Sequence, residues 1–270
     1  MLVTGCSSGI GRATAERLAA AGWTVYASAR RLEAVEELAG CRPLRLDVTD
    51  DESMHAAVAL IEREEGAVGV LVNNAGYSQS GAVEGVPLDE ARRQFETNVF
   101  GPMRLTQLVL PGMREQRWGR IVNVSSMGGE LTFPGGGWYH ASKHAIEALS
   151  DALRFEVAGF GIDVVVIQPG LIRTGFAEAA VGSIEVGDGP YGPFDAAVGA
   201  ATAGAYDGAF AHRLGGGPET VAAAIERAVS AKRPRTRYRV TPSARLFITL
   251  RRLLGDRGWD ALVGRSYPRP

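Results

Sequence analysis

The sequence contains few of the residues that hold small or metal-dependent folds together. Two cysteines, Cys6 and Cys41, occur in 270 residues, which is too few for a fold built on a disulfide framework. The four histidines do not combine with Cys or Asp at the spacing of metal ligands. We therefore expect neither a structural disulfide nor a bound metal.

Long apolar runs and a large net charge are also missing. No uninterrupted apolar run reaches the ~18 residues that would indicate a membrane-spanning helix. The N-terminal residues lack the basic and apolar regions of a signal peptide. The formal net charge is −1, which gives no reason to expect a nucleic-acid partner. The sequence therefore predicts a soluble, cytoplasmic protein without a membrane span.

The charge is nevertheless unevenly distributed along the chain. Residues 231–270 contain eleven Lys or Arg and two acids, whereas residues 1–230 contain 18 basic and 28 acidic side chains. The sequence therefore joins an acidic body to a basic end, and we treat residues 242–270 as a basic C-terminal extension.

Glycine is abundant, with 35 residues, and two hydrophobic patterns alternate along the chain. Short apolar runs alternate with longer amphipathic stretches as far as residue 168. Strands are predicted at residues 1–4, 24–28, 43–46, 69–72, 120–125 and 163–168. Helices are predicted at residues 10–21, 32–39, 52–64, 88–116 (broken near Gly101-Pro102) and 139–158. This alternation predicts an α/β fold with a doubly wound parallel sheet, helices on both faces, and a single domain over residues 1–270.

Two regions depart from this rhythm. Residues 175–217 are rich in Gly and Ala with little amphipathic order, and we interpret them as a long loop that serves as a substrate lid. The first strand begins at Met1, only four residues before Gly5. Either the native start lies upstream, or a short central strand is tolerated.

A glycine-rich loop joins the first predicted strand to the first predicted helix. Gly5 permits a sharp turn, Gly9 lets the backbone approach a pyrophosphate, and Gly11 allows close packing of helix on strand. The helix N-terminus adds free N–H groups and the positive end of a dipole. The candidate cofactor-binding residues in this loop are Gly5, Ser7, Ser8, Gly9, Ile10 and Gly11. The flanking strand and helix favour a dinucleotide site over an ordinary turn.

Tyr139 and Lys143 are four residues apart on a predicted helix, so their side chains emerge on one face. A free tyrosine has a pKa of ~10. A nearby ammonium group favours the phenolate and is expected to lower this pKa. Tyr139 would then exchange a proton with an alcohol or a carbonyl oxygen. Ser126, just past a strand end, would hold that oxygen.

Three motifs together resemble the short-chain dehydrogenase/reductase family over roughly residues 1–230. They are the Gly-x-x-x-Gly-x-Gly loop, Asn73-Asn74-Ala75-Gly76, and Tyr139-x-x-x-Lys143. The resemblance implies a Rossmann-type sheet of about seven parallel strands that binds a nicotinamide dinucleotide. It also implies oxidoreduction between an alcohol and a carbonyl, without a metal.

The resemblance assigns roles to further residues. Asn98 matches the position that supports a water and the lysine in a proton relay. Lys143 is implied to reach the nicotinamide ribose as well. Asp47 and Val48 match the position beside the adenine, although Asp47 could equally cap the next helix. Other cofactor-binding candidates are Asn74, Ala75, Gly76, Tyr139, Pro169, Gly170 and Thr174, the last of these for the carboxamide.

The end of the second strand bears on the choice of cofactor. NAD sites usually have an acid there, which binds the ribose 2′-hydroxyl. Here the strand is followed by Arg30 and Arg31, and an arginine can pair with a 2′-phosphate. NADP(H) is therefore favoured and NAD(H) remains an alternative, since both arginines could instead be solvated residues of the next helix.

The predicted activity is NADP(H)-dependent interconversion of an alcohol and a carbonyl on an apolar substrate, since the motifs look most like those of hydroxysteroid and retinol dehydrogenases. A 3-oxoacyl-thioester reductase is the alternative enzyme, and a non-catalytic NADP-sensing or scaffold protein is the alternative from another class. Residues 88–116 and 139–158 resemble the helices through which family members form homodimers and homotetramers.

Several residues near Tyr139 allow a structural interpretation. His140 and His144 lie one residue off the catalytic pair, so we expect them on a different helix face. Leu131, Phe133 and Trp138 either line an apolar pocket or pack on the sheet.

The C-terminal region is predicted to contain a helix at 220–231, an edge strand at 237–240 and an amphipathic segment at 243–254. This segment has an apolar stripe of Leu246, Phe247, Leu250, Leu253 and Leu254. It either covers the substrate pocket or a subunit contact, or it lies as a basic helix on an anionic membrane.

Overall fold

A parallel sheet is at the centre of the computed structural model, which describes residues 1–267 apart from the side chains of residues 207, 209 and 210. Within these residues its strands are β1 (Leu2–Val3), β2 (Val25–Ala29), β3 (Cys41–Arg45), β4 (Val70–Asn73), β5 (Gly119–Val124), β6 (Ile162–Gln168) and β7 (Arg237–Arg239). The strand order is β3-β2-β1-β4-β5-β6-β7, and every neighbouring pair is parallel. The predicted doubly wound α/β fold is confirmed.

Helices cover both faces of this sheet. They are α1 (Gly9–Ala20), α2 (Asp51–Glu65), α3 (Leu88–Phe95), α4 (Gly101–Glu115), α5 (Gly137–Val157), α6 (Phe176–Gly182), α7 (Gly192–Asp207), α8 (Ala209–Leu214), α9 (Pro218–Ser230) and α10 (Pro242–Val263). Because side chains alternate along a strand, Val3 packs on the face covered by α1 and α9, and Leu2 packs on the face covered by α2 and α4.

The order of the strands places a crevice beside β1. The chain passes from β1 to β2 on one side of the sheet and later reaches β4 on the other side. Loops that leave the carboxyl ends of β1 and β4 therefore diverge and leave space between them. The loop at residues 4–11 and the segment at residues 74–76 border this space.

The predicted helix at 32–39 is replaced by a three-residue 3₁₀ turn, Leu32–Ala34. Even without the helix, Val35 and Leu38 pack into the core.

The predicted long loop at 175–217 is wrong in its structure, because most of it is helical in α6, α7 and α8. Alanine has the highest intrinsic helix propensity, so an alanine-rich segment forms helices without an amphipathic pattern. Periodicity alone therefore missed these helices.

The break predicted near Gly101 in the helix at 88–116 is a turn of π-helix, Glu96–Phe100. Helix α4 begins at Gly101, which packs closely against the loop before α2. A Cβ atom at Gly101 would overlap the carbonyl oxygen of Val48 in that loop. Single π turns inside helices are often found at functional sites, and this one contains Asn98.

The C-terminal helix α10 packs through only part of the predicted apolar stripe, since Phe247 and Leu250 lie against a buried cluster. Ala244, Ile248 and Trp259 are buried in a cluster with Met127 and Leu131. Leu246, Leu253 and Leu254 remain exposed, with Leu253 78% exposed. No helix among residues 1–267 is long and apolar enough to cross a membrane.

Arg120 on β5 connects the sheet to the end of α9. Its side chain is 4% exposed, and one guanidinium nitrogen donates to the carbonyl oxygens of Ala228, Val229 and Ala231. The other terminal nitrogen lies 2.7 Å from a carboxylate oxygen of Asp163. These carbonyls belong to the last turn and the C-cap of α9, where a cation is favoured.

We expect Arg120→Leu to lower the free energy of unfolding by about 2–4 kcal/mol, because it leaves buried carbonyl groups without a donor. Chemical denaturation followed by circular dichroism measures this loss. Arg233→Leu is the matched control at an exposed position, with an expected change within about 0.5 kcal/mol. Equal effects of the two substitutions would contradict the role of Arg120 as a helix cap.

Candidate active site

The glycine-rich loop has the backbone geometry that its sequence predicts. Gly5 has a φ of +71°, and a Cβ atom there would lie 2.9 Å from the Cα atom of Ala75. A Cβ atom at Gly11 would overlap the carbonyl oxygen of Gly5. Helix α1 begins at Gly9, and the side chain of Ser8 makes no capping hydrogen bond. The first N–H groups of α1 are therefore left available for an anion.

Thr4 and Asn74 join the end of β1 to the end of β4. The hydroxyl oxygen of Thr4 accepts from the N–H groups of Asn74 and Ala75, at 2.9 and 3.0 Å. The side-chain amide of Asn74 donates to the carbonyl oxygens of Thr4 and Gly5, at 2.9 and 3.2 Å. Asn74 thus holds the loop in position.

A cavity of about 860 Å³, here called the larger cavity, extends from this loop across the crevice. Most of the predicted cofactor-binding residues line it: Gly5, Ser7, Ser8, Gly9, Ile10, Arg30, Asp47, Val48, Asn74, Ala75, Gly76, Tyr139, Lys143, Pro169, Gly170 and Thr174. Ser126 lines it as well. Gly11 and Asn98 do not line this cavity. Each packs against residues that do.

Arg30, Asp47 and Thr174 all line this cavity, and each has different neighbours. Arg30 is exposed and lines the larger cavity, whereas the neighbouring Arg31 does not. Asp47 accepts from the N–H and hydroxyl groups of Thr49, so it stabilises its own turn. Asp50 caps α2 instead. Thr174 lies opposite the loop, since a Cβ atom at Gly9 would be 3.5 Å from its methyl carbon.

Ser126, Tyr139 and Lys143 meet at the carboxyl end of β5. Ser126 follows β5, and its Oγ accepts from the N–H of Gly128 at 3.0 Å; its side chain is also close enough to the Tyr139 hydroxyl to lower the pKa of that group in part. Lys143 Nζ donates to the carbonyl oxygen of Val124 at 2.9 Å. This nitrogen lies 5.8 Å from the centre of the Tyr139 ring. The predicted catalytic residues therefore come together.

Burial dominates the ionisation of this group. Burial raises the pKa of Tyr139 to about 12, and the Ser126 side chain lowers it only in part. Burial also lowers the pKa of Lys143 to about 8, and the carboxylate of Glu147 raises it in part. The pKa of Tyr139 is therefore not lowered as expected from Lys143, because desolvation dominates it. Tyr139 is protonated at neutral pH, as a proton donor must be.

Asn98 is buried inside the π turn and does not contact Lys143 directly. Its Oδ1 accepts from the N–H of Tyr77 at 3.1 Å, and its Nδ2 donates to the Tyr77 carbonyl and to the Ser142 hydroxyl. A Cβ atom at Gly76 would lie 3.0 Å from Asn98 Oδ1 and 3.7 Å from Lys143 Nζ. Asn98 therefore lies behind the cavity wall, close to the lysine.

A second cavity of about 200 Å³, here called the smaller cavity, opens on the other side of Tyr139. It shares five lining residues with the larger cavity: Ser126, Tyr139, Gly170, Phe176 and Tyr206. Its walls are largely apolar, with Phe133, Val198 and Phe247 among them. The two cavities therefore meet at Ser126 and Tyr139.

Sequence analysis missed several residues of the smaller cavity. Tyr206, on α7, lines both cavities, and its only sequence signal is a tyrosine in an alanine-rich stretch. His140 is buried and lines the smaller cavity, contrary to the expectation that it faces elsewhere. Of the three apolar residues considered, Phe133 lines the cavity, Leu131 is in the core cluster, and Trp138 packs edge-on against Phe95.

The sequence comparison decides the family. A sequence model of the short chain dehydrogenases matches residues 1–183. The chain belongs to the short-chain dehydrogenase/reductase family. Among residues 1–267, no group of three His, Cys, Asp or Glu side chains could hold a metal ion.

Individual members of the family are similar over different lengths. The NADPH-dependent 3-dehydrocapnine reductase of Ornithobacterium rhinotracheale is 37% identical over 97% of this chain and 94% of that protein. The 3-ketodihydrosphingosine reductase of Bacteroides thetaiotaomicron is 43% identical, and the match spans 66% of this chain and 65% of that protein. A crystal structure of a short-chain dehydrogenase from Streptomyces avermitilis has a TM-score of 0.78 and 37% identity, covering 98% of this chain and 97% of that one.

The ionisation of Lys143 predicts a pH dependence for proton transfer. Donation requires a protonated Tyr139, present below a pKa of about 12, and an ammonium on Lys143, present below a pKa of about 8. We expect kcat/KM for carbonyl reduction to be level below about pH 7 and to fall about tenfold per unit well above pH 8. Initial rates across this range measure the profile.

Lys143→Arg is the informative variant, because arginine keeps its charge throughout this range. The fall above pH 8 should be absent in any residual activity of that variant. A wild-type profile that stays level to about pH 10 would contradict the assignment.

Proposed function

We propose that this protein reduces the carbonyl group of an apolar substrate with NADPH, and that the reaction is reversible. The observation that carries the proposal is the meeting of two cavities at Ser126 and Tyr139. The larger cavity has the loop and helix end that suit a dinucleotide, and the smaller one has apolar walls. A substrate carbonyl at their junction would touch both hydroxyl groups.

The lining of the larger cavity fits a nicotinamide dinucleotide. The N–H groups at the start of α1 suit the pyrophosphate, a Cβ atom at Gly5 would crowd the backbone of Ala75, and the positive φ of Gly9 disfavours a side chain there. Asp47 and Val48 would flank the adenine, Lys143 would hold the ribose, and Thr174 would bind the carboxamide. When bound, the nicotinamide supplies hydride to a carbonyl carbon or accepts it from an alcohol.

The residues of this chain move the proton. Ser126 donates a hydrogen bond to the substrate oxygen and stabilises the negative charge that develops on it. Tyr139 transfers its hydroxyl proton to that oxygen, and the ammonium of Lys143 stabilises the resulting phenolate. Through its hydrogen bonds to the Tyr77 backbone and Ser142, Asn98 would keep the surroundings of Lys143 ordered. A proton relay through this region would then restore the proton of Tyr139. The high pKa of Tyr139 favours the reductive direction.

The preference for NADPH rests on Arg30. This residue lines the larger cavity beside the end of β2, where Tyr26, Ala27, Ser28 and Ala29 offer no acid to a ribose 2′-hydroxyl. A guanidinium can pair with a 2′-phosphate, which an acid would repel. The dependence on NADPH in the name of the Ornithobacterium relative supports the same choice.

The substrate class is inferred from the smaller cavity. Its apolar walls come from the loop after β5, from residues 175–217 and from α10. We propose that residues 175–217 and α10 close over an apolar substrate. Two relatives are named as reductases of 3-ketodihydrosphingosine and 3-dehydrocapnine, and these names support reduction of a ketone by this protein. Long-chain ketones are therefore the first substrates to test.

Arg30→Asp should weaken NADPH binding by about 2 kcal/mol, roughly 30-fold, because an attractive contact becomes repulsive. NADH binding should change little. Fluorescence titration of both cofactors measures the two affinities, and Arg31→Asp is the matched control outside the cavity. Equal weakening of NADPH and NADH by Arg30→Asp would contradict a contact with the 2′-phosphate.

Tyr139→Phe should abolish reduction of long-chain ketones and leave NADPH affinity nearly unchanged, because only the proton donor is lost. Loss of NADPH absorbance reports turnover, and fluorescence titration reports binding. The assignment of Tyr139 fails if the variant retains more than about a tenth of the wild-type rate. Oxidation of the corresponding alcohols with NADP⁺ tests reversibility in the same assay.

A further inference from the structure

The smaller cavity contains a buried imidazole that the proposed reaction does not use. His140 follows Tyr139 on α5 and is 8% exposed. Its ring centre lies 5.6 Å from that of Tyr139 and 6.1 Å from that of Phe133. A group bound to the exposed edge of this ring would therefore be close to the hydroxyl that meets the substrate carbonyl.

One hydrogen bond determines which nitrogen of His140 carries the proton. Nδ1 lies 3.1 Å from the carbonyl oxygen of Gly128. Because a carbonyl oxygen can only accept, Nδ1 is the protonated nitrogen and donates. Burial lowers the pKa of His140 to about 4, so the ring is neutral at physiological pH. Nε2 is therefore an acceptor.

Nε2 has no hydrogen-bond partner among the described residues. It is not sealed in the core either, because His140 lines the smaller cavity. The ring fits closely between two glycines: a Cβ atom at Gly136 would lie 2.7 Å from Nε2, and one at Gly128 would overlap Nδ1. A buried acceptor is costly to leave without a donor, and here the open side of the acceptor is the cavity.

Among the described residues, no polar side chain of this cavity hydrogen-bonds to Nε2. The hydroxyl groups of Ser78 and Ser80 hydrogen-bond to each other at 3.0 Å. The His140 ring also packs against the aromatic rings of Phe133 and Tyr139. The largely apolar cavity thus presents a fixed nitrogen acceptor beside the ring of Tyr139.

We propose that His140 Nε2 accepts a hydrogen bond from the substrate, and that the substrate is a ketone with an amine or a hydroxyl group close to its carbonyl and an apolar remainder. His140 is then a specificity-determining residue. This inference rests on the proposed function, because it places the carbonyl between Ser126 and Tyr139. The same acceptor would gain nothing from a plain ketone, which has no donor.

Three long-chain 3-ketones of equal length test this inference. One has a 2-amino group, one has a 2-hydroxyl group, and one has no substituent at carbon 2. We expect wild-type protein with NADPH to show a kcat/KM about tenfold or more higher for a donor-bearing ketone than for the plain one. The comparison of the first two ketones decides between amine and hydroxyl.

His140→Asn separates the cavity acceptor from the structural contact. The asparagine amide can take the place of Nδ1 and still donate to Gly128, but it has no atom at the position of Nε2. We expect the preference for the donor-bearing ketone to fall to about twofold or less. His144→Asn, at an exposed position on the same helix, should keep the full preference. NADPH titration and thermal denaturation verify that each variant is folded.

The outcomes separate this inference from the proposed function. Turnover of all three ketones at similar efficiency by wild-type protein overturns the role of His140 and leaves carbonyl reduction intact, even if His140→Asn does not fold. An unchanged preference in folded His140→Asn also overturns it. Absence of turnover with every ketone refutes the proposed function, and this inference with it.

Discussion

Hydrogen bonds between Thr4 and Asn74 hold the ends of β1 and β4 at a fixed separation, and the geometry of the crevice depends on this contact. The chain diverges on either side of it, so the glycine-rich loop lies on one side and residues 74–76 on the other. Because Gly5 packs directly against Ala75, a side chain there would push the two ends apart. The N-terminal end of α1 would then lose its position beside the cavity.

Burial changes the ionisation of Tyr139 and Lys143 at the same site. The serine, tyrosine and lysine lie where the surrounding protein excludes water, so the neutral forms of Tyr139 and Lys143 are both favoured relative to solution. A protonated tyrosine is useful to a reductase, because it supplies the proton that the new alcohol needs. The lysine, by contrast, must keep its charge against burial, and the carboxylate of Glu147 one turn away helps it to do so.

The cover of the smaller cavity comes from segments that are remote in sequence. Helices α6 and α7 contribute Phe176 and Tyr206, and α10 contributes Phe247. Ion pairs from Arg252 and Arg239 to Glu130 anchor the C-terminal region close to the loop that follows β5. The basic character of residues 231–270 is thus partly used within the protein, while Leu253 remains at its surface.

The order of the strands and of most of the helices between them, the turn at Gly5, and the placement of Tyr139 and Lys143 on one helix follow from the sequence alone. Each of these depends on local spacing: period-two or helical repeats, a glycine where no side chain fits, and an i, i+4 relation on one helix. Only the tertiary structure decided that most of residues 175–217 are helical, that burial raises the pKa of Tyr139, and that His140 lines the smaller cavity. These properties depend on which distant segments pack around a residue and exclude water from it, and no local pattern of amino acids contains that information.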